Sequence, residues 1–443
     1  MHVSNRVLAT ALCTLTAFAS APTFAGVLTV APTGANYTQI QAAVDAAASE
    51  DVILISPGSY TAVTIDGKSV TLLSTGAGNV TVLGTTTVKN LTATQRVILS
   101  GIRGFGSTTF LTGAGTGVGL FVSSNYGHVR VESCKFYGAI GWGDNTTGVG
   151  SVCCGMPLAS AGRDGAYVLS NSQGVAFTAC ELQGGRAANA LAACVCGNSL
   201  WGGDGLRVQS TLVSLYDCLA LGGRGGDNGS EGGAGGAGCR TIAGTLPTGA
   251  FASGSTFRGA NGGDAWDFLL PVTGGAGGTG MLVGPSTGVR LLGNTFSAGA
   301  GGISYFGNYP PGAPGTQLSG GGSIFTDPES RLVMTTDRFA RAGTVVNVRI
   351  QGTPGQVIHL LVSRAPTFMI LPSWRGTLVS LPGKGSVDVP VGAIPANGVL
   401  QTRYQVPPIP GGATSATVFM QAYRFDAVLG PKLAAGTTIT LLH

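Results

Sequence analysis

The chain has 443 residues, a formal net charge of +5, 75 glycines and only 10% charged residues, yet 44% of it is hydrophobic. That length exceeds one ordinary core and points to two domains, or to a solenoid with an appendage. The hydrophobic share excludes disorder, the lack of a strict three-residue glycine period excludes collagen, and the mild charge makes no case for nucleic acid or a membrane surface.

Residues 1–25 read as a signal peptide: Arg6 is the positive start, Val7 to Ala19 the apolar run, and Pro22 to Ala25 the cleavage end. The run is too short to span a bilayer, and no later stretch is a candidate span. The chain is therefore expected to be secreted or held at the cell surface. Gly26 to Val30 reads as a strand. Tyr37 to Ala48 reads as a short amphipathic helix, with Ile40, Ala43, Val44 and Ala47 at helical spacing, placed to cap an open strand edge. Short strands follow at 51–55, 62–65, 69–73 and 80–83.

A ten-residue block then recurs five times. It begins as Val129-Arg-Val-Glu-Ser-Cys134-Lys-Phe136-Tyr-Gly138 and returns at 175–184, 213–222, 250–259 and 289–298. Its sixth residue is Cys134, Cys180, Cys218, Ser255 and Asn294, at intervals of 46, 38, 37 and 39 residues. A fixed block with variable filler is a solenoid signature. Alternation in Val-x-Val marks one half-buried strand, a two-residue bend resets the phase, and Cys-x-Phe is a second strand. A third strand precedes four of the blocks, ending at Val122, Val168, Val208 and Val283; the fourth block has no clear upstream partner. Three short strands per turn predict a parallel β-helix over 26–305.

The stretch Tyr37-Thr-Gln-Ile-Gln-Ala-Ala-Val44, then Asp51-Val-Ile-Leu-Ile-Ser-Pro-Gly-Ser-Tyr60 and Lys68-Ser-Val-Thr-Leu72, together with the V-x-V-x-x-C-x-F blocks, resembles the pectin-lyase-like right-handed β-helix superfamily. The resemblance covers roughly 27–305 and implies a helix-capped right-handed coil. It does not fix an activity, because that superfamily holds lyases, hydrolases, adhesins and proteins without chemistry. Its hydrolases carry Gly-His-Gly and Arg-x-Lys; here the only Gly-His is Gly127-His128-Val129, and no catalytic signature matches.

From Gly138 onward a long glycine-rich insert follows each block, and all inserts are expected to stack as a ridge on one corner. The ridge is either a binding surface or a flexible fringe. Residues 306–324 read as a Gly/Pro-rich linker, and 325–443, with evenly spaced apolar strands, as a C-terminal β-sandwich. That module either contacts a surface or carbohydrate, or closes the solenoid's last coil.

Asp164 and Asp204 both precede Gly-x-x-Val and should lie one strand spacing apart, about 4.8 Å. Such a pair could share a proton as acid and base, recruit Ca²⁺, or form Asp-Gly turns. Asp144, Asp227 and Asp264, with Arg186 and Arg224, also fall in register; they could bind an acidic glycan or be solvated loop charges. Eight cysteines remain after the signal: Cys134, Cys153, Cys154, Cys180, Cys194, Cys196, Cys218 and Cys239. In an exported chain an even number favours disulfides between stacked inserts or buried thiols, and the C-x₂₋₄-C zinc spacing is missing. Two functions stay open: a non-catalytic scaffold or adhesin binding polysaccharide through the glycine-rich loops, and a polysaccharide lyase or glycoside hydrolase acting on an acidic glycan. Neither requires a cofactor beyond the possible Ca²⁺.

Overall fold

The computed structural model describes residues 25–443 except 77–78, 108–116, 142–160, 190–199, 228–230, 267–271, 306–308, 328–329, 372–374, 381–385, 410 and 426–430. Twenty-two strands form one sheet in which the pairings are parallel, consistent with a β-helix solenoid. The strands fall into three stacks. The first runs from Val27–Val30 through Arg96–Ser100, His128–Glu132 and Gly249–Ser253 to Ser323–Asp327. The second holds Ile102–Phe105, Lys135–Tyr137, Glu181–Gln183 and Leu219–Leu221 and ends at Thr295–Ser297. The third holds Leu120–Asn125, Cys239–Ile242 and Met281–Val283 and ends at Leu318–Gly320. Ala166–Thr178 and Leu206–Tyr216 each pass from the third stack into the first.

The recurring block explains this path. Val129, Val175, Val213, Ala250 and Val289 pair in register and point inward, and so do Phe136, Leu182, Ala220, Phe257 and Phe296. Between the two ladders the fifth block residue turns the corner in the left-handed region: Ser133 (φ 51°), Ala179 (52°), Asp217 (54°), Gly254 (61°) and Gly293 (59°). That one reversed residue moves the chain from the first stack to the second and sets the sixth residue facing inward. The fourth block's missing partner is Cys239–Ile242, in register with Leu206–Gln209.

Helix α1 (Ile40–Ala46) buries Ile40, Ala43 and Val44 against the first coil, as its spacing predicts. Cys134, Cys180, Cys218 and Cys239 are buried and free, which corrects the disulfide expectation for them. The first three occupy the inward corner ladder. Cys239 belongs to a core strand rather than to an insert, where burial pushes its thiol well above the ordinary range. Cys153, Cys154, Cys194 and Cys196 lie outside the described residues.

The described part of the expected linker, from residue 309 on, belongs to the solenoid-like sheet and its inserts. Residues 312–317 bond to the preceding insert, and Leu318–Gly320 and Ser323–Asp327 are the last strands of the third and first stacks. Beyond them, Val333–Thr336, Val345–Gln351 and Val399–Gln405 form a three-stranded sheet. Phe339–Arg341, Lys432–Leu442, Ser415–Arg424, Val357–Ser363 and Ser386–Ala393 form a five-stranded one, and Pro366–Leu371 pairs with Gly376–Ser380. Val348 and Ile350 of the smaller sheet share one core with Leu360, Val418 and Ile439 of the larger. This C-terminal unit lies along the first stack rather than over the last coil: Thr438 bonds Glu132, Arg130 bonds Gly436, and Thr377 bonds Tyr216.

Candidate functional site

Each glycine-rich insert has an outbound arm leaving the second stack and a return arm entering the third. Among the described residues the arms contain no strand or helix, apart from one isolated bridge between Ala265 and Ser304, but they bond to one another with a period of three. In the outbound arm after Leu221, the N–H groups of Gly222 and Gly225 donate to Arg258 and Asn261 of the next outbound arm (2.9 and 3.1 Å). Gly223 and Gly226 donate to Gly203 and Leu200 of a return arm (2.8 and 3.0 Å). Arg224 and Asp227 take the third position, free of both contacts, and carry the side chains. Return arms repeat the scheme: Gly235 donates to Ala276 (2.9 Å), Gly236 to Gly223 (2.8 Å), and Ala234 and Ala237 take the third position.

Three residues per turn without internal hydrogen bonds is polyproline II geometry. The inserts are thus a two-layered slab of such arms, one layer outbound and one returning. Where the layers approach most closely only glycine fits: a Cβ on Gly223 or Gly236 would sit 1.9 Å from the carbonyl oxygen of Gly185 or Gly203. A flexible fringe is the wrong description of these arms. Their glycine does have a three-residue period, but only locally, as in Gly232-Gly-Ala-Gly-Gly-Ala-Gly238.

The third positions bring the sequence-predicted residues together. On the outbound layer, Asn189 accepts the Asp227 N–H (3.2 Å), Asp227 the Asp264 N–H (2.8 Å) and Asp264 the Ile303 N–H (2.8 Å). Arg224 bridges Asp227 (2.8 Å) and Asp264 (3.0 Å). Arg186 holds the equivalent of Arg224 one coil earlier, with Ala187 N–H bonded to the Arg224 carbonyl (2.9 Å). Asp144 lies outside the described residues. These carboxylates are acceptors that tie one arm to the next.

On the return layer Asp164 and Asp204 are neighbours, as their register predicts. Asp164 accepts the Asp204 N–H (2.8 Å), and Asp204 accepts the Ala237 N–H (2.8 Å). Asp204 also takes Arg240 on both oxygens (2.6 and 3.1 Å). Burial, and then the Asp204 charge, push the Asp164 carboxyl up to about 7, against the Asp204 N–H and the Arg207 and Arg240 charges. The expected Ca²⁺ is a poor fit here. Arg240 already supplies the cation to Asp204, and among the described residues no group of three His, Cys, Asp or Glu side chains could hold a metal.

The pair lines an open groove of about 680 Å³, in the corner between the return layer and the third stack. Its walls carry residues that no sequence motif announced. Trp201, 63% exposed, takes the third position one triad before Asp204. Arg207 lies over the Tyr167 ring (5.1 Å) and Phe121 tilts against it (5.6 Å), so strand-borne aromatics face the slab. Only the recurrence of Arg207 and Arg240 one residue after the paired Leu206 and Cys239 hinted at a row. An exposed indole beside fixed polar groups can pack on an apolar ring face while the polar groups orient its edges.

No family model matches the chain, and no curated protein does. Among solved structures, a superoxide reductase (neelaredoxin) from Ignicoccus hospitalis aligns with 25% of this chain and 80% of its own at 12% identity and a TM-score of 0.15. The catalytic domain of a GH87 alpha-1,3-glucanase in complex with tetrasaccharides aligns with 61% of this chain and 64% of its own at 8% identity and a TM-score of 0.16. Scores this low carry no argument about the fold or the activity of this chain.

Proposed function

We propose that this is an exported right-handed parallel β-helix protein of the pectin-lyase-like kind with a C-terminal β-sandwich, and that it is a non-catalytic scaffold binding polysaccharide along the return layer. One observation carries this reading: the carboxylates of the groove are engaged in holding neighbouring arms, while Trp201 beside them is exposed. A general acid or nucleophile needs an oxygen free to reach substrate. Asp204 has both oxygens bonded. Sugar rings, by contrast, need a flat apolar surface with polar groups at its rim, which Trp201, Tyr167 and Arg207 supply.

A second reading, a lyase or hydrolase, draws on Asp164 alone: a carboxyl titrating near 7 suits proton transfer at neutral pH. One screen separates the two. The protein is incubated with acidic and neutral polysaccharides, with and without Ca²⁺, following both retention on the polymer and chain cleavage. Retention without cleavage, weakened at least tenfold by Trp201→Ala and unchanged by Asp164→Asn, is expected. Cleavage abolished by Asp164→Asn would establish the enzyme instead, and neither retention nor cleavage would remove the groove from consideration.

A further inference from the structure

The return layer has a direction. Each arm donates toward the C-terminal end of the stack: Gly202 to Ala234 (2.9 Å), Gly235 to Ala276 (2.9 Å) and Gly277 to Ala313 (2.8 Å). The layers alternate up to residues 312–317, so this last return arm is the outermost rung. There the same N–H groups would point past the end of the slab. A row of unpaired donors is a template for another chain, and a head-to-tail contact of that kind grows without closing.

Register identifies the residues at those positions. Gly315 donates inward to Gly299 (2.9 Å), as Gly278 does to Ala260 (2.6 Å) and Gly236 to Gly223 (2.8 Å). Pro314 therefore stands where Gly277 and Gly235 stand. Gly312 donates inward to Gly302 (2.9 Å), as Gly275 does to Gly263 (2.8 Å) and Gly233 to Gly226 (2.9 Å). Pro311 therefore stands where Gly232 stands, whose N–H donates to Thr273 (3.1 Å). Proline has no N–H, and its fixed φ suits the polyproline II arm. Among the described arm residues proline occurs only in this last return arm, at 310, 311 and 314.

We propose that Pro311 and Pro314 are an end stop: they delete two outward donors of the final rung without disturbing the arm, leaving only Gln317, at the register of Gly238 and Gly280, too short a row for a second copy to add its carbonyl edge to the slab. Pro310 is the internal control, because it occupies the third position, where no donor to another arm is expected.

The test compares the full-length chain with Pro311→Gly/Pro314→Gly, Pro311→Ala/Pro314→Ala and Pro310→Gly by light scattering over a dilution series. Both double variants are expected to at least double their mean mass as concentration rises, while the parent and Pro310→Gly stay at their starting mass. The alanine pair restores the donors without glycine's flexibility, so it decides the matter if the glycine pair does not fold. Double variants that keep the parent's circular dichroism and its mass overturn the end stop. Equal association by Pro310→Gly overturns it too, because lost rigidity rather than a regained donor would then be the cause.

Discussion

Asp164 shows how one side chain can serve the slab and still disfavour its own ionisation. Its oxygen holds the Asp204 N–H, a bond that a neutral carboxyl or an amide can also accept. Burial and the Asp204 charge raise its titration from the ordinary 3.8 to about 7. The linkage follows from that sign. Between about pH 4 and pH 7 the unfolded chain releases this proton and the folded chain keeps it, so stability falls as pH rises through that window and is flat above it. Asp164→Asn removes the titration and keeps the acceptor. Urea midpoints at pH 5 and pH 8 are expected to show the parent losing roughly 2 kcal/mol more than the variant over that interval. Parallel losses in the two proteins would mean that Asp164 ionises normally. The pairing of Asp164 with Asp204 was legible because both precede the same Gly-x-x-Val. The role of Asp204 was not, because its partner Arg240 lies 36 residues on, in a strand whose block has a weak upstream signal.

The arm is the element on which the candidate site depends, and its stability is a matter of backbone approach. In a β-strand, side chains alternate and the neighbouring backbone stays clear of Cβ. In these arms two residues of each three face another arm's peptide groups, and at most of those positions a Cβ would strike a carbonyl. Gly236→Ala would place its Cβ 1.9 Å from the Gly203 oxygen, whereas Gly411→Ala meets nothing within 4 Å. We expect Gly236→Ala to lower stability by about 2–4 kcal/mol through separation of the layers, and Gly411→Ala to change it by no more than about 0.5 kcal/mol. Equal denaturation midpoints for the two variants would show that the slab does not contribute to folding. The triad was present in the sequence but hidden by its substitutions: Ala187 stands at a donor position and Ala139, Arg163 and Ala260 at the inward one. Composition alone therefore reads as a glycine-rich fringe. The block's strands were easier to see, since Val129-x-Val131 and Cys134-x-Phe136 alternate apolar with polar residues, although Arg130 between the two valines is itself buried, under the C-terminal unit. The same parity explains the cysteines: position six faces the core, where a thiol is one more apolar filler.

At the scale of the whole molecule, what sequence reading could not supply was where the C-terminal unit sits. Its strands at 345–351, 357–363, 399–405 and 415–424 follow the apolar runs closely. Its contact face does not, because the receiving residues on the first stack are charged or polar and read as ordinary surface. Arg130 and Glu132 are paired there with side chains only 7% and 5% exposed. Glu132 also accepts the Thr438 N–H (3.0 Å) and hydroxyl (2.6 Å), and Arg130 donates to the Gly436 carbonyl. Beside them Tyr216, Phe251, Leu292 and Ala435 form a small apolar cluster between the two units. A buried pair of this kind contributes little by its presence, since desolvation offsets most of the attraction, but losing one member leaves an uncompensated charge. Glu132→Ala is therefore expected to cost about 3–5 kcal/mol. The loss should fall on the junction rather than on either core, because Glu132 points away from the solenoid interior and bonds Thr438 across 306 residues. Calorimetry of the parent should then show one transition, and of the variant two, the C-terminal unit melting first. A single unshifted transition in the variant would mean that the remaining contacts, the apolar cluster and the Thr377–Tyr216 bond among them, suffice to hold the two units, and that Arg130 finds water when Glu132 is removed.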